Sequence, residues 1–86
     1  MSPFLRLELK PGELLVLQLT QPCQARSESG AFWLSIAGED ICLSDRQGAS
    51  LPRGRLLVEG TGRLTLAWPA AARSVPLRLN GFPRTL

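Results

Sequence analysis

Leu9-Lys10-Pro11-Gly12-Glu13-Leu14-Leu15-Val16 returns later in the chain as Leu51-Pro52-Arg53-Gly54-Arg55-Leu56-Leu57-Val58. In both octads a Pro/Gly turn feeds an apolar run. A turn-then-strand unit met twice in 86 residues indicates a β-protein in which each half supplies equivalent strands to one closed or rolled sheet.

Outward from the octads, a period of two dominates. Leu5, Leu7 and Leu9 alternate with Arg6, Glu8 and Lys10, so one face is buried and the other wet. After Pro11-Gly12, Leu15, Leu17 and Leu19 face opposite to Leu14, Val16 and Gln18. That run is apolar on both faces at first and calls for cover on both sides. Residues 23–30 are polar and end in Ser29-Gly30, which reads as a turn or weak edge strand. Ala31 to Ile36 is a strand with Phe32, Leu34 and Ile36 on one face and Ala31, Trp33 and Ser35 on the other.

Further along, Gly38-Glu39-Asp40 reads as a tight turn and Ile41-Cys42-Leu43 as a short strand. Asp40 and Gly48 are read as turn residues. Ala49–Leu51, Leu56–Glu59 and Leu64–Trp68 follow as short strands, the last two separated by Gly60-Thr61-Gly62. Trp68 shares a face with Leu64 and Leu66, as a core residue does. Residues 69–73 offer at most one helical turn, and Val75, Leu77 and Leu79 alternate as a final strand. No 11-residue window carries a helical apolar stripe free of Gly or Pro.

Composition narrows the function classes. Apolar residues make up 44% of the chain and the formal charge is +3, which suits one small folded domain over residues 1–86. Lys10 is the only lysine among ten basic residues, and the arginines are spread along the whole chain. A nucleic-acid stripe is therefore not expected, and five aromatics are too few for base stacking. Cys23 and Cys42 do not make a disulfide framework. The first ten residues carry Arg6, Glu8 and Lys10, unlike a signal peptide, and no apolar run reaches bilayer length. The expectation is a cytoplasmic protein with reduced thiols and no membrane partner.

The stretch Gly30-Ala31-Phe32-Trp33-Leu34-Ser35, with Gly38-Glu39-Asp40-Ile41-Cys42-Leu43, Gly48 and Leu57-Val58-Glu59, resembles bacterial domain of unknown function family 2917. That family has a Gly-x-x-Trp-Leu-Thr strand before an Asp-x-x-Leu loop and a glycine. The similarity covers roughly residues 5–68, leaving 69–86 as a C-terminal extension. Ser35 stands where Thr is usual, and the Leu43-to-Gly48 spacing is longer than the common pattern. The resemblance implies a small cupin-like fold and no assigned activity.

The chemistry available is sparse. With no histidine and no tyrosine, the metal set of metal-binding cupins cannot be assembled. Nucleophilic catalysis needs an adjacent base, which leaves only Lys10 and carboxylates. Glu28, Glu39, Asp40 and Glu59 show no spacing suited to paired-acid hydrolysis.

The chain is accordingly expected to be all-β, a small cupin-like (double-stranded β-helix or jelly-roll) barrel of seven to nine short strands. It is expected to bind no cofactor or metal and to catalyse nothing. Its expected role is an interaction or ligand-binding module, working as a homodimer. If Phe32, Leu34 and Ile36 fill the interior, Trp33 points outward and forms a partner surface with Leu14 and Val16, unless residues 69–86 or a flanking strand cover it. With the faces reversed, Trp33 is core. The alternative is a pocket for a small anionic molecule, or a metal-independent enzyme, with Arg53, Arg55 and Arg63 as anion contacts.

Overall fold

The computed structural model describes residues 3–69 and the backbone of residues 77–79. The described chain is all-β. Seven strands run in order: β1 (Phe4–Leu9), β2 (Leu14–Leu19), β3 (Cys23–Ile36), β4 (Glu39–Leu43), β5 (Gly48–Leu51), β6 (Gly54–Ala67) and β7 (Leu77–Leu79). Every pairing is antiparallel. Among the described residues no helix is long and apolar enough to cross a membrane.

β3 and β6, 14 residues each, lie side by side and form the spine of the sheet. Each is long enough to serve two half-sheets. At one end β3 and β6 are flanked by β4 on one side and by β2, then β7, on the other. At the other end their flanks are β5 and β1. Among the described residues the strands that end the hydrogen-bonded path, β4 and β7, do not pair with each other, so the sheet they form is rolled but not closed.

The pairing scheme is close to self-equivalent. Exchanging β1 with β5, β2 with the first half of β6, and the first half of β3 with the second half of β6 reproduces the observed neighbours. Under the same exchange, β7 beside β2 matches the second half of β3 beside β6. The octads sit at corresponding corners of this arrangement, but their letters do not match side chain for side chain. Leu9 and Leu51 both point inward, yet Leu15 is buried where its octad counterpart Leu57 faces out. The first inward residue of β2, Leu15, comes six positions after Leu9, but that of β6, Leu56, comes five after Leu51, and one residue is enough to flip every side chain.

Both spine strands bend where the halves meet. β3 carries a bulge between Ser27 and Ser29, which bends the strand and strengthens its twist. The fully buried Ser27 hydroxyl donates to the Gly30 carbonyl at 2.6 Å. The Gly30 N–H donates to Asp45 Oδ1 at 3.1 Å. Opposite the bulge, Gly60 and Gly62 have φ of 140° and 129°, a region side chains rarely adopt. A Cβ on either would press into the Ala31 or the Ser29 carbonyl oxygen. Gly60-Thr61-Gly62 is thus a crossing point inside β6, not the separator that its glycines suggest in the sequence.

Residues 23–30 likewise form the first half of β3 in place of the expected turn or weak edge. Their inward positions are the small side chains Cys23, Ala25 and Ser27, each buried, while Gln24, Arg26 and Glu28 face solvent. The β3–β4 turn is Ala37-Gly38, one residue earlier than the sequence indicates. Both residues have positive φ, 52° and 78°, as a two-residue type I′ hairpin requires. Asp40 therefore belongs to β4 and Gly48 to β5, not to turns. A Cβ on Gly48 would lie 3.0 Å from the Ala25 carbonyl oxygen, which accounts for glycine there.

One core joins the inner faces of both halves. Leu15, Leu17, Leu19, Phe32, Leu34, Ile36, Leu56 and Val58 come from one half. Ala25, Leu51, Leu64, Leu66 and Trp68 come from the other. The interior is filled by aliphatic and aromatic groups, and Trp68 is core as its spacing indicates. Leu77–Leu79 realises the last part of the expected final strand; Val75 and the turn at 70–73 lie outside the described residues.

Candidate functional site

Because Phe32, Leu34 and Ile36 point into the core, period two sends Trp33 and Ser35 to the outer face of β3. Cross-strand register then builds two rows on that face. One runs Cys42–Trp33–Glu59–Leu14 across β4, β3, β6 and β2. The next runs Asp40–Ser35–Leu57–Val16 across the same four strands. The sequence-expected partner surface of Trp33, Leu14 and Val16 is therefore assembled on one face, with Leu57 added between Ser35 and Val16.

Exposure on this face is graded. Trp33, Leu14, Leu57 and Glu59 are half-buried, whereas Cys42 and Asp40 are exposed. Val16 is 5% exposed although it stands on the outer face, outside the main core cluster. A shallow depression of about 360 Å³ opens beside Trp33, with Cys42, Ser44 and Glu59 on its walls. The signal that puts Leu57 on an outer face, though not its place beside Val16, was in the sequence. Leu57 sits between the inward Leu56 and Val58 as Val16 sits between Leu15 and Leu17, so both strands carry apolar residues on two faces.

The three arginines proposed as anion contacts do not come together. Arg55 lies on the half that carries Trp33, at the start of β6, with Arg53 in the turn before it. Arg63 lies beyond the Gly60–Gly62 crossing on the other half. Its guanidinium donates to Glu8 Oε1 from Nε at 3.1 Å and from Nη2 at 2.7 Å, so its charge is already matched. The bend that shapes the roll also separates these residues.

Among the described residues no three His, Cys, Asp or Glu side chains gather as a metal site would require. The two cysteines are unbridged and unlike each other. Cys42 is exposed, while burial pushes the Cys23 thiol up to about 11, which holds it protonated and unreactive at neutral pH. Beside Cys23, an apolar groove of about 390 Å³ lies between Pro22, Leu51 and Trp68 at one end of the roll. Trp68 Nε1 donates toward the Gln21 carbonyl there at 3.4 Å.

No family model matches the chain, and no curated protein is significantly similar to it.

Proposed function

We propose that this protein is a non-catalytic interaction module that works as a homodimer, docking through the outer face of the β4–β3–β6–β2 half. We further propose that its rolled sheet is a small cupin-like, double-stranded β-helix, as its resemblance to bacterial family 2917 implies. The pairwise exchange of β1 with β5 and of β2 with the first half of β6 supports that topology. Two unbridged cysteines fit a reducing compartment such as the cytoplasm.

The observation that carries the functional reading is the set of four apolar residues within these two rows. Trp33, Leu57, Leu14 and Val16 stand together on the side of the sheet away from the core. An antiparallel sheet with one wet face normally puts polar residues there. Interfaces favour an aromatic anchor surrounded by aliphatic groups and a polar rim. Here Asp40 and Ser44 lie at the edge, and Glu59 stands within the patch between Trp33 and Leu14.

Light scattering on the eluting protein at micromolar concentration tests the reading. The parent should run at a multiple of the 9.4 kDa chain mass, and Trp33→Glu should halve it with an unchanged far-ultraviolet spectrum. A parent and a Trp33→Glu variant of equal mass would dismiss this face as the contact.

A further inference from the structure

The free edge of β1 holds a second self-complementary feature, on the half of the roll away from Trp33. Among the described residues β1 pairs only with β6. The Trp68 N–H donates to the Pro3 carbonyl at 3.0 Å. In an antiparallel ladder that bond fixes which backbone groups face the neighbour. The odd-numbered residues of β1 turn their amides and carbonyls toward β6, and Phe4, Arg6 and Glu8 present theirs to the open side.

We propose that β1 pairs antiparallel with β1 of a second copy about a two-fold axis at Leu7, joining two sheets edge to edge. In this register Arg6 stands opposite Glu8 of the second copy, and Glu8 opposite its Arg6. Both are hydrogen-bonded pairs, because both partners turn their backbone groups outward. Leu7 faces Leu7 and Leu5 faces Leu9 on the inner side, extending the apolar layer. Phe4, 52% exposed and the one exposed large hydrophobic among the described residues, comes opposite the chain's only lysine, Lys10. A cation over an aromatic face is attractive, and Arg6 already sits 5.9 Å from the Phe4 ring centre within one chain.

Charge selects this register over its neighbours. Sliding the second strand by two residues one way puts Arg6 opposite Arg6, and like charges directly opposed are unfavourable. Sliding it the other way shortens the overlap. Glu8 is prepared for the contact, because Arg63 bonds only its Oε1 and leaves Oε2 to accept from the incoming Arg6. Edge strands are usually guarded by charge. Here the guarding charges alternate in sign at positions 6 and 8, which excludes most strands and admits a copy of itself.

The test uses full-length chains carrying Trp33→Glu, which removes the proposed face contact. That protein should run as a dimer through β1, at half the mass of a parent that uses both the face and the edge contact. Adding Arg6→Glu sets Glu against Glu at two symmetric sites and should weaken dimerisation roughly 30-fold, at about half a kcal/mol for each attraction lost and each repulsion gained. Adding Glu8→Arg as well restores opposite charges and should restore the dimer. A monomeric Trp33→Glu chain beside a dimeric parent overturns the edge pairing and leaves the face reading standing. Equal masses with and without Arg6→Glu, or no rescue by Glu8→Arg in a chain that remains folded, also overturn it.

Discussion

A methyl group at position 62 should remove much of this protein's stability, whereas one at position 38 should hardly be noticed. Both glycines have positive φ, 129° at Gly62 and 78° at Gly38. They differ in their surroundings. A Cβ at Gly38 meets nothing within 4 Å, but at Gly62 it would press into the Ser29 carbonyl and sit 3.0 Å from the Gly30 Cα. Holding an alanine in such a backbone region costs about 1–3 kcal/mol. Forcing the two spine strands apart at their crossing adds a comparable amount. Gly62→Ala should therefore cost about 3–5 kcal/mol, against a total near 4–13 kcal/mol expected for a chain of this size. Gly38→Ala pays only the dihedral term, partly offset by the stiffer unfolded chain, and should stay within about 1 kcal/mol. Urea titration followed by tryptophan fluorescence measures both. With a slope near 1 kcal/mol per molar urea, the Gly62→Ala midpoint should fall by about 3–5 M. Equal losses in the two variants would mean that close approach of β3 and β6 does not fix the bend.

Other expectations are smaller. Ala37 occupies a left-handed position where Asn is favoured, so Ala37→Asn should add about 0.5–1 kcal/mol and raise Tm by about 2–8 °C; an unchanged or lower Tm would contradict the turn assignment. The Cys23 thiol, raised from 9.0 to about 11, stays protonated in the fold after the unfolded chain has begun to ionise. Its stabilising effect is complete below pH 9 and fades between pH 9 and 11, and Cys23→Ala should flatten that decline in denaturation measured across the range. A thiol reagent at pH 8 should modify Cys42 quickly and Cys23 only on unfolding. The Arg63–Glu8 pair is exposed on both sides, so Glu8→Gln should cost less than about 1 kcal/mol and lose its effect in high salt.

Much of the architecture was legible where inward side chains are large. β1 and β2 alternate leucine with charge or leucine with leucine, and parity alone set Phe32 and Trp33 on opposite faces, although only the fold shows which of them points inward. Legibility failed where the inside is small. Cys23, Ala25 and Ser27 carry little hydrophobic signal, so a strand that crosses the roll resembled a polar loop. It failed also where glycine has a steric task, since Gly60 and Gly62 look the same in sequence whether they end a strand or let two strands touch. The apolar outer face was half legible. Leu14, Val16 and Trp33 declared themselves, but the place of Leu57 beside them depends on the β2–β6 register, which only tertiary structure reveals. The arginines illustrate the converse: proximity guessed along the chain is undone by a bend.

The register of β1 has a consequence for synthesis. Phe4 stands opposite Ala67 and Leu9 opposite Gly62, so β1 waits for nearly the last strand described. At about 5–20 residues per second a ribosome needs roughly 3–12 s to produce the intervening chain. Throughout that interval the leucines of β1 and β2 have no layer to join, and the nascent polypeptide must be kept from sticking to its neighbours until β6 emerges. Chaperone dependence during translation, more than any weakness of the finished fold, is where a cell would feel this topology.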